Sequence, residues 1–345
     1  MSNTLEKRKH IYELDYIRAI SALFIVLFHY TTQYETSIGH VTPWPVNVPW
    51  GSRAVNTFFL LTGYLTVCHY SEGGLRFMGK RFIRLWPAFA VCVVITSLCM
   101  AVLMPERMRT VSEIVRNFTM FPGYLGARTV DGVYWTLPVE ILFYFWIMVL
   151  MIGRKKGLLL FTLYGWMAVA IASAICEKVE VLSLPVKLLK MGFIVQHAHC
   201  FLLGAGIHLM NTGSKKQKWL TAPLLLLCLV GAWLWQNTGV AVWTAFWALL
   251  IWAVTSGKLR FAMKKGNPLH KCLLFLAKIS YTLYLLHQFI GFAIIRKIES
   301  LGGSSELWIF VPIAISILLA TVVHYLVEVP AGKLLMRLLP QKKNR

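Results

Sequence analysis

The chain has 345 residues, 57% hydrophobic and only 14% charged, with a formal net charge of +21. So little polar surface excludes a soluble domain of this size. A charge of +21 would point to nucleic acid in a soluble protein, but here Lys and Arg lie in short connections between apolar runs. No basic–aromatic surface pattern accompanies them, so no nucleic-acid partner is expected.

The apolar runs are about 17–22 residues long, enough to cross a bilayer at about 1.5 Å per residue. They predict an all-α integral membrane protein, a bundle of about ten transmembrane helices forming a single domain over 1–345 with its core at about 12–330. The spans fall near 14–33, 54–70, 85–104, 136–152, 157–175, 192–210, 219–236, 239–256, 274–295 and 307–328. Lys and Arg in alternate connections number 23 on one side and 10 on the other, with Arg18 and Lys278 inside spans. By the positive-inside rule the richer side is cytoplasmic and both termini lie there, in a multi-pass protein of the cell membrane. The basic stretch Lys7–Arg8–Lys9 opens an uncleaved first helix, because Glu13, Asp15 and Arg18 interrupt the following run and no small-residue cleavage site follows it. The seven cysteines mostly sit inside apolar runs without CxxC spacing, which reads as packing. The long connection at roughly 105–135 is rich in Pro, Gly and aromatic residues and is expected to pack over the bundle.

Titratable groups within spans cost several kcal/mol in lipid, so each is a functional candidate. In the first span Arg18 and His29 are eleven residues apart, which puts them on one helix face about 16 Å apart along the axis. A plain reading pairs Asp15 with Arg18 at i,i+3 and leaves His29 as a satisfied polar group. Arg81 and Arg84, at i,i+3 where the third span begins, either anchor that span or clamp phosphates bidentately. In the fourth span Glu140 follows Pro138 and either caps free amides or, at the depth of His29, orients that imidazole. In the sixth, His197 and His199 point about 200° apart, poor geometry for a metal, and no metal is expected. In the ninth, Tyr284 and His287 share a face, as interhelical hydrogen bonding or as the lining of a path. Soluble hydrolase, P-loop and HxxxxD signatures are absent.

Taken in order, Asp15-x-x-Arg18-x10-His29, Phe58-Phe-Leu-Leu-Thr-Gly63-Tyr-Leu, Arg81-x-x-Arg84-x-x-Pro87, Trp135-x4-Glu140-x2-Phe-Tyr144, Tyr281-x-Leu-Tyr-Leu-x-His287 and Glu328-x-Pro330 resemble the acyltransferase-3 family of integral membrane O-acyltransferases. The resemblance runs from residue 15 to about 330. It departs mildly at Thr62, where many members have Ser, and at Leu137–Glu140, which replaces a Ser-x-Glu region. It implies transfer of an acyl group, commonly acetyl from cytoplasmic acetyl-CoA, to a hydroxyl of a cell-surface or exported glycan. It also implies that the chain acts without the appended hydrolase-like domain of some members. It assigns catalysis to His29 and Glu140, donor binding to Arg18, Arg81 and Arg84, and the substrate path to Asp15, Trp135, Tyr144, Tyr284 and His287. No permanently bound cofactor is implied, and no oligomeric state is readable. The rival classes are a proton-coupled transporter of a small polar solute, which the lack of repeat halves disfavours, and a purely structural partner protein.

Overall fold

A computed structural model of the chain describes residues 10–41, 46–70, 73–153, 158–179, 184–303 and 306–339, with backbone alone for 184–187, 306 and 307. The basic residues at 7–9, 154–156, 342, 343 and 345, used for orientation, lie outside the described residues. The described residues are helical and contain no strand. The main helices are α1 (Tyr12–Phe28), α2 (Ala54–Cys68), α3 (Gly74–Leu103), α4 (Thr136–Ile152), α5 (Leu159–Lys178), α6 (Val195–Thr212), α7 (Lys215–Trp235), α8 (Thr238–Thr255), α9 (Pro268–Ser300) and α10 (Phe310–Val323). Nine helical runs among the described residues are long and apolar enough to span a bilayer. The exception is α2, whose 15 residues reach about 22 Å.

That short helix is nonetheless the inner wall of the bundle. A Cβ on Gly63 would collide with the Phe201 carbonyl of α6, and one on Gly204 of α6 would collide with the Leu60 carbonyl of α2. Glycine at both positions lets the two backbones touch, as small residues do in membrane helix pairs. Ser-to-Thr or Gly-to-Ala tolerance therefore differs within Leu61-Thr-Gly63: Thr62 faces a cavity, whereas Gly63 is fixed by the crossing.

Two apolar clusters flank the space beside α2. The larger joins α2 through α8, with Phe89, Phe143 and Phe201 fully buried; the smaller joins α1, α9 and α10 through Ala19, Tyr30, Phe292 and Ala320. The second is knotted by polar contacts. The Tyr30 hydroxyl donates to the His287 carbonyl (2.8 Å) and meets Ser316 Oγ (2.7 Å), while Thr282 Oγ1 donates to the Ala320 carbonyl (2.9 Å).

Three departures from the predicted spans position the site. First, α1 does not end at His29; it passes through a π-helical turn, His29–Gln33, before a last turn Tyr34–Ser37. Such turns re-aim side chains and cluster at functional sites. Second, α3 begins at Gly74, eleven residues before the predicted span, so Arg81 and Arg84 stand about two turns inside the helix instead of at its start. Third, α4 is preceded by a 3-10 turn, Gly132–Trp135, so the helical run reaches Glu140 about two turns in.

The connection from Met104 to Asp131 packs on the bundle, as its composition predicts. Thr110 and Glu113 form a capping box on the short helix Val111–Asn117. The buried Asn117 side chain bonds the Arg128 carbonyl (3.0 Å) and the Val130 amide (2.9 Å). Buried Asp131 accepts from the amides of Val133 (3.1 Å) and Phe289 (3.1 Å), pinning the connection to α9.

Candidate active site

Four adjoining cavities run through the bundle beside α2. At one end a mouth of about 430 Å³ is lined by His69, Lys80, Arg81, Arg84, Glu328 and Lys333. It shares Leu65, Arg81 and Arg84 with a neck of about 110 Å³, where Arg18, Thr62, Glu140 and Tyr144 also face inward. The neck shares Val55 and Tyr284 with a chamber of about 290 Å³ that contains His29, Trp135 and Gln288. The chamber shares Ser52, Val55 and Trp135 with a vestibule of about 790 Å³ at the opposite end. A nucleotide fits the mouth but not the neck, which admits only a thin chain.

The chamber's chemistry is set by a pair of imidazoles. His287 Nδ1 lies 2.8 Å from the Tyr284 carbonyl and 3.1 Å from the Leu283 carbonyl, so it carries the proton. Its Nε2 is therefore a lone-pair acceptor, and it sits 3.1 Å from His29 Nδ1. His29 Nδ1 also lies 2.8 Å from the Ile25 carbonyl, so it too is protonated and donates to both acceptors. The neutral His29 ring is thereby left with its lone pair on Nε2. Both tautomers follow from fixed carbonyl acceptors, the outer-shell device that orients a catalytic imidazole.

This corrects two sequence-based expectations. Glu140 does not orient His29. Its carboxylate accepts from Thr62 Oγ1 (3.3 Å) and from the Tyr144 hydroxyl, and it lines the neck among the arginines. The reason is depth: the run-in at Gly132–Trp135 puts Gly132, Val133 and Trp135 in the chamber with His29 and carries Glu140 at least about 7 Å further along, into the neck. His287 in turn is not a path residue; it lies behind His29 as its hydrogen-bond partner.

The arginines converge as the spacing predicts. Arg81 packs its guanidinium over the rings of Phe77 and Tyr144, 5.1 Å from each centroid. Among the described residues neither Arg81 nor Arg84 is ion-paired, so both present unused donors to the mouth and neck. Arg18 joins them in the neck, steadied by Asp15 at 3.5 Å. Asp15 bonds His10 as well (2.6 Å) and lines none of the four cavities, so it holds Arg18 and is not a path residue. Tyr284 lines both neck and chamber: its hydroxyl meets the Val133 carbonyl (3.1 Å) and Thr136 Oγ1 (3.0 Å) where the two cavities join.

An apolar helical bundle with an arginine mouth, a narrow neck and an oriented imidazole suits acyl transfer, and the comparisons decide the family. The family model described as an acyltransferase domain matches residues 11–326. The chain belongs to the acyltransferase-3 family. The chain is also 24% identical over 156 residues to Nodulation protein 10 of Rhizobium leguminosarum bv. viciae, a match that covers 39% of this chain and 42% of that protein. No solved structure matches it. It is a multi-pass membrane protein by its helices and its family together.

The cavities also include residues that sequence reasoning passed over. Gln288 follows His287 and lines the chamber, with its Oε1 buried and unbonded among the described residues. Its amide abuts Gly132, where a Cβ would strike it, so that glycine makes room for the side chain. The adjacency of Gln288 to the His287 motif was the available signal. Trp50 and Arg53, both in the turn Pro49–Arg53, and Gln236 at the end of α7 come from two segments far apart in sequence and gave none.

Proposed function

We propose that the protein is an O-acyltransferase, moving an acyl group, most simply acetyl, from acyl-CoA on the cytoplasmic side to a hydroxyl of a glycan on the opposite side. On this reading the ten helices cross the cell membrane with both termini in the cytoplasm, so the arginine mouth is the inner one. The observation that carries it is the His29 tautomer: His287 Nε2 and the Ile25 carbonyl both accept from Nδ1–H and leave Nε2 as a base in the chamber.

The CoA phosphates bind Arg81 and Arg84, with Arg18 deeper, through charge-assisted bonds. The pantetheine arm threads the neck, which excludes the nucleotide, and delivers the thioester past Tyr284 to the chamber. His29 Nε2 takes the proton of the acceptor hydroxyl as its oxygen attacks the thioester carbonyl. The carbon–sulfur bond breaks, the ester forms, and the imidazolium returns the proton to the CoA thiolate. Glu140 acts in the neck, where it holds Tyr144 beside Arg81 and balances the arginine charge once the phosphates have left.

The test is His29→Ala in purified protein and in cells. Alkali-labile acyl esters on envelope glycans should fall to the level of a gene deletion, and acyl-CoA cleavage by about 10²–10⁴-fold. Wild-type esterification by that variant would overturn the assignment. Solute uptake that depends on a proton gradient, without acyl-CoA consumption, would favour a transporter instead.

A further inference from the structure

The vestibule is the largest of the four cavities, and its wall has a distinct chemistry. Three indoles reach it, from Trp50, Trp135 and Trp235. Trp135, 43% exposed, stacks obliquely on His197 with centroids 5.1 Å apart and forms the boundary with the His29 chamber. Trp50, 38% exposed, packs edge-on against Phe24 (4.8 Å). Flat, rigid aromatic faces backed by packing are suited to the C–H faces of pyranose rings.

Polar groups alternate with these rings. The Asn56 amide donates to Gln236 Oε1 (3.2 Å), a pair that bridges α2 and α7 and leaves further donors and acceptors on both. Gln196 is exposed on the wall, and His197 Nδ1 is buried there without a partner among the described residues. The lining contains one fixed cation, Arg53, and no acidic residue. The Arg53 guanidinium lies flat against Gly239, where a Cβ would meet it, and donates to the Gly239 carbonyl (3.3 Å). That bond uses one of its five N–H donors, and no carboxylate neutralises it among the described residues.

From this we infer that the vestibule binds an anionic sugar: a pyranose stacked on the indoles with its carboxylate or phosphate ester held by Arg53. Calling this sugar the acyl acceptor rests on the acyl-transfer reading above; the site itself rests on the wall. Stacking at Trp135 puts one ring hydroxyl at the edge of the chamber, facing His29. Arg53 fixes which hydroxyl that is, since it anchors the ring by its charged substituent, making it a specificity-determining residue. A planar guanidinium suits either anion, because both present paired oxygens.

The test uses purified protein in nanodiscs and saturation-transfer NMR with three probes: methyl β-glucuronide, glucose 1-phosphate and methyl β-glucoside. The two anionic sugars should bind at least about ten-fold more tightly than the neutral one, and whichever binds better identifies carboxylate or phosphate as the anchor. Arg53→Gln should bring the preference below about two-fold, and Arg53→Lys should restore part of it. Gln196→Glu, a change on the exposed wall that spares the Gly239 contact, should weaken both anions about ten-fold by repulsion. Equal binding of neutral and anionic sugars, no sugar binding, or a preference that survives in both Arg53→Gln and Gln196→Glu would overturn the inference. Acetyl-CoA cleavage by the wild-type protein is scored separately. Cleavage without sugar preference overturns the anion subsite alone; sugar preference without cleavage overturns the acyl-transfer reading alone.

Discussion

The two ends of the cavity are built from opposite materials although one helix walls both. At the mouth, Arg81 and Arg84 come from adjacent turns of α3 and are joined in the neck by Arg18 of α1, giving dense positive charge. At the vestibule, indoles and amides from α2, α4, α6 and α7 surround a single arginine. The first suits a polyanion that must be released after reaction; the second suits a polyol recognised by shape. Between them the neck excludes both bulky ligands and passes only what connects them. The sidedness of the proposed reaction thus lies in the walls, while the chemistry lies in one imidazole placed where the ends meet.

The largest expected effect falls on both ends together. Gly63→Ala puts a methyl group against the Phe201 carbonyl, a backbone atom that cannot swing away. Separating α2 from α6 should cost about 1–3 kcal/mol or more, read as a lower melting temperature in detergent. Acyl-CoA and sugar binding should weaken in parallel. Loss at one end only would show that α2 is not a common wall.

The next two predictions separate the ends. Arg81→Ala with Arg84→Ala removes two charge-assisted anchors, each worth about 1.5–3 kcal/mol. KM for acyl-CoA should rise by at least about 100-fold, without a matching rise in KM for the acceptor. Equal rises would mean that the arginines hold the fold and not the donor. His287→Ala should act on neither KM but on kcat, by roughly 10²-fold, because His29 keeps its position and loses the partner that fixes its tautomer. His287→Asn would be expected to recover part of that loss if its side-chain carbonyl can accept from His29 Nδ1. An unchanged kcat in both variants would remove His287 from the account.

The mouth was largely readable from the sequence, because Arg-x-x-Arg on one helix and Arg18 on another are placed by helical period and charge alone. The chamber was readable in its members but not in its wiring. Depth along a span depends on where the helical run begins, and neither the π turn after Phe28 nor the 3-10 run-in at Gly132 leaves a mark in hydropathy. A few residues of error moved Glu140 from His29 to the arginines and left the His29–His287 pair, 258 residues apart, unrecognised. The vestibule was not readable. Its residues are ordinary singly, and only the close α2–α6 crossing and the turn between α7 and α8 bring Arg53, Gln236 and Trp235 to one wall.

The smallest effect concerns the strap that covers the vestibule's end of the bundle. Glu113 accepts from Arg128 Nε (2.8 Å) and Nη2 (3.3 Å) and from the Thr110 amide (3.0 Å). These bonds, Arg128 foremost, hold its carboxyl down at about 2, against an ordinary 4.5. A carboxylate depressed in the folded state stabilises fully above its unfolded pKa and loses that contribution as pH falls through the folded one. The strap should therefore be indifferent to pH from about 5 to 8, loosen progressively as pH falls below the ordinary 4.5, and have lost this contribution by about 2. Hydrogen exchange of the Thr110–Arg128 amides, corrected for intrinsic rate, should show that profile. Glu113→Gln should lose protection throughout the range above about 4.5 and converge with the wild type near 2. Because Asp131 ties the strap to Val133 and Phe289 beside the chamber, that variant should raise the acceptor KM by about two-fold and leave the donor KM alone. A change confined to the donor side would place the strap at the wrong end of the comparison.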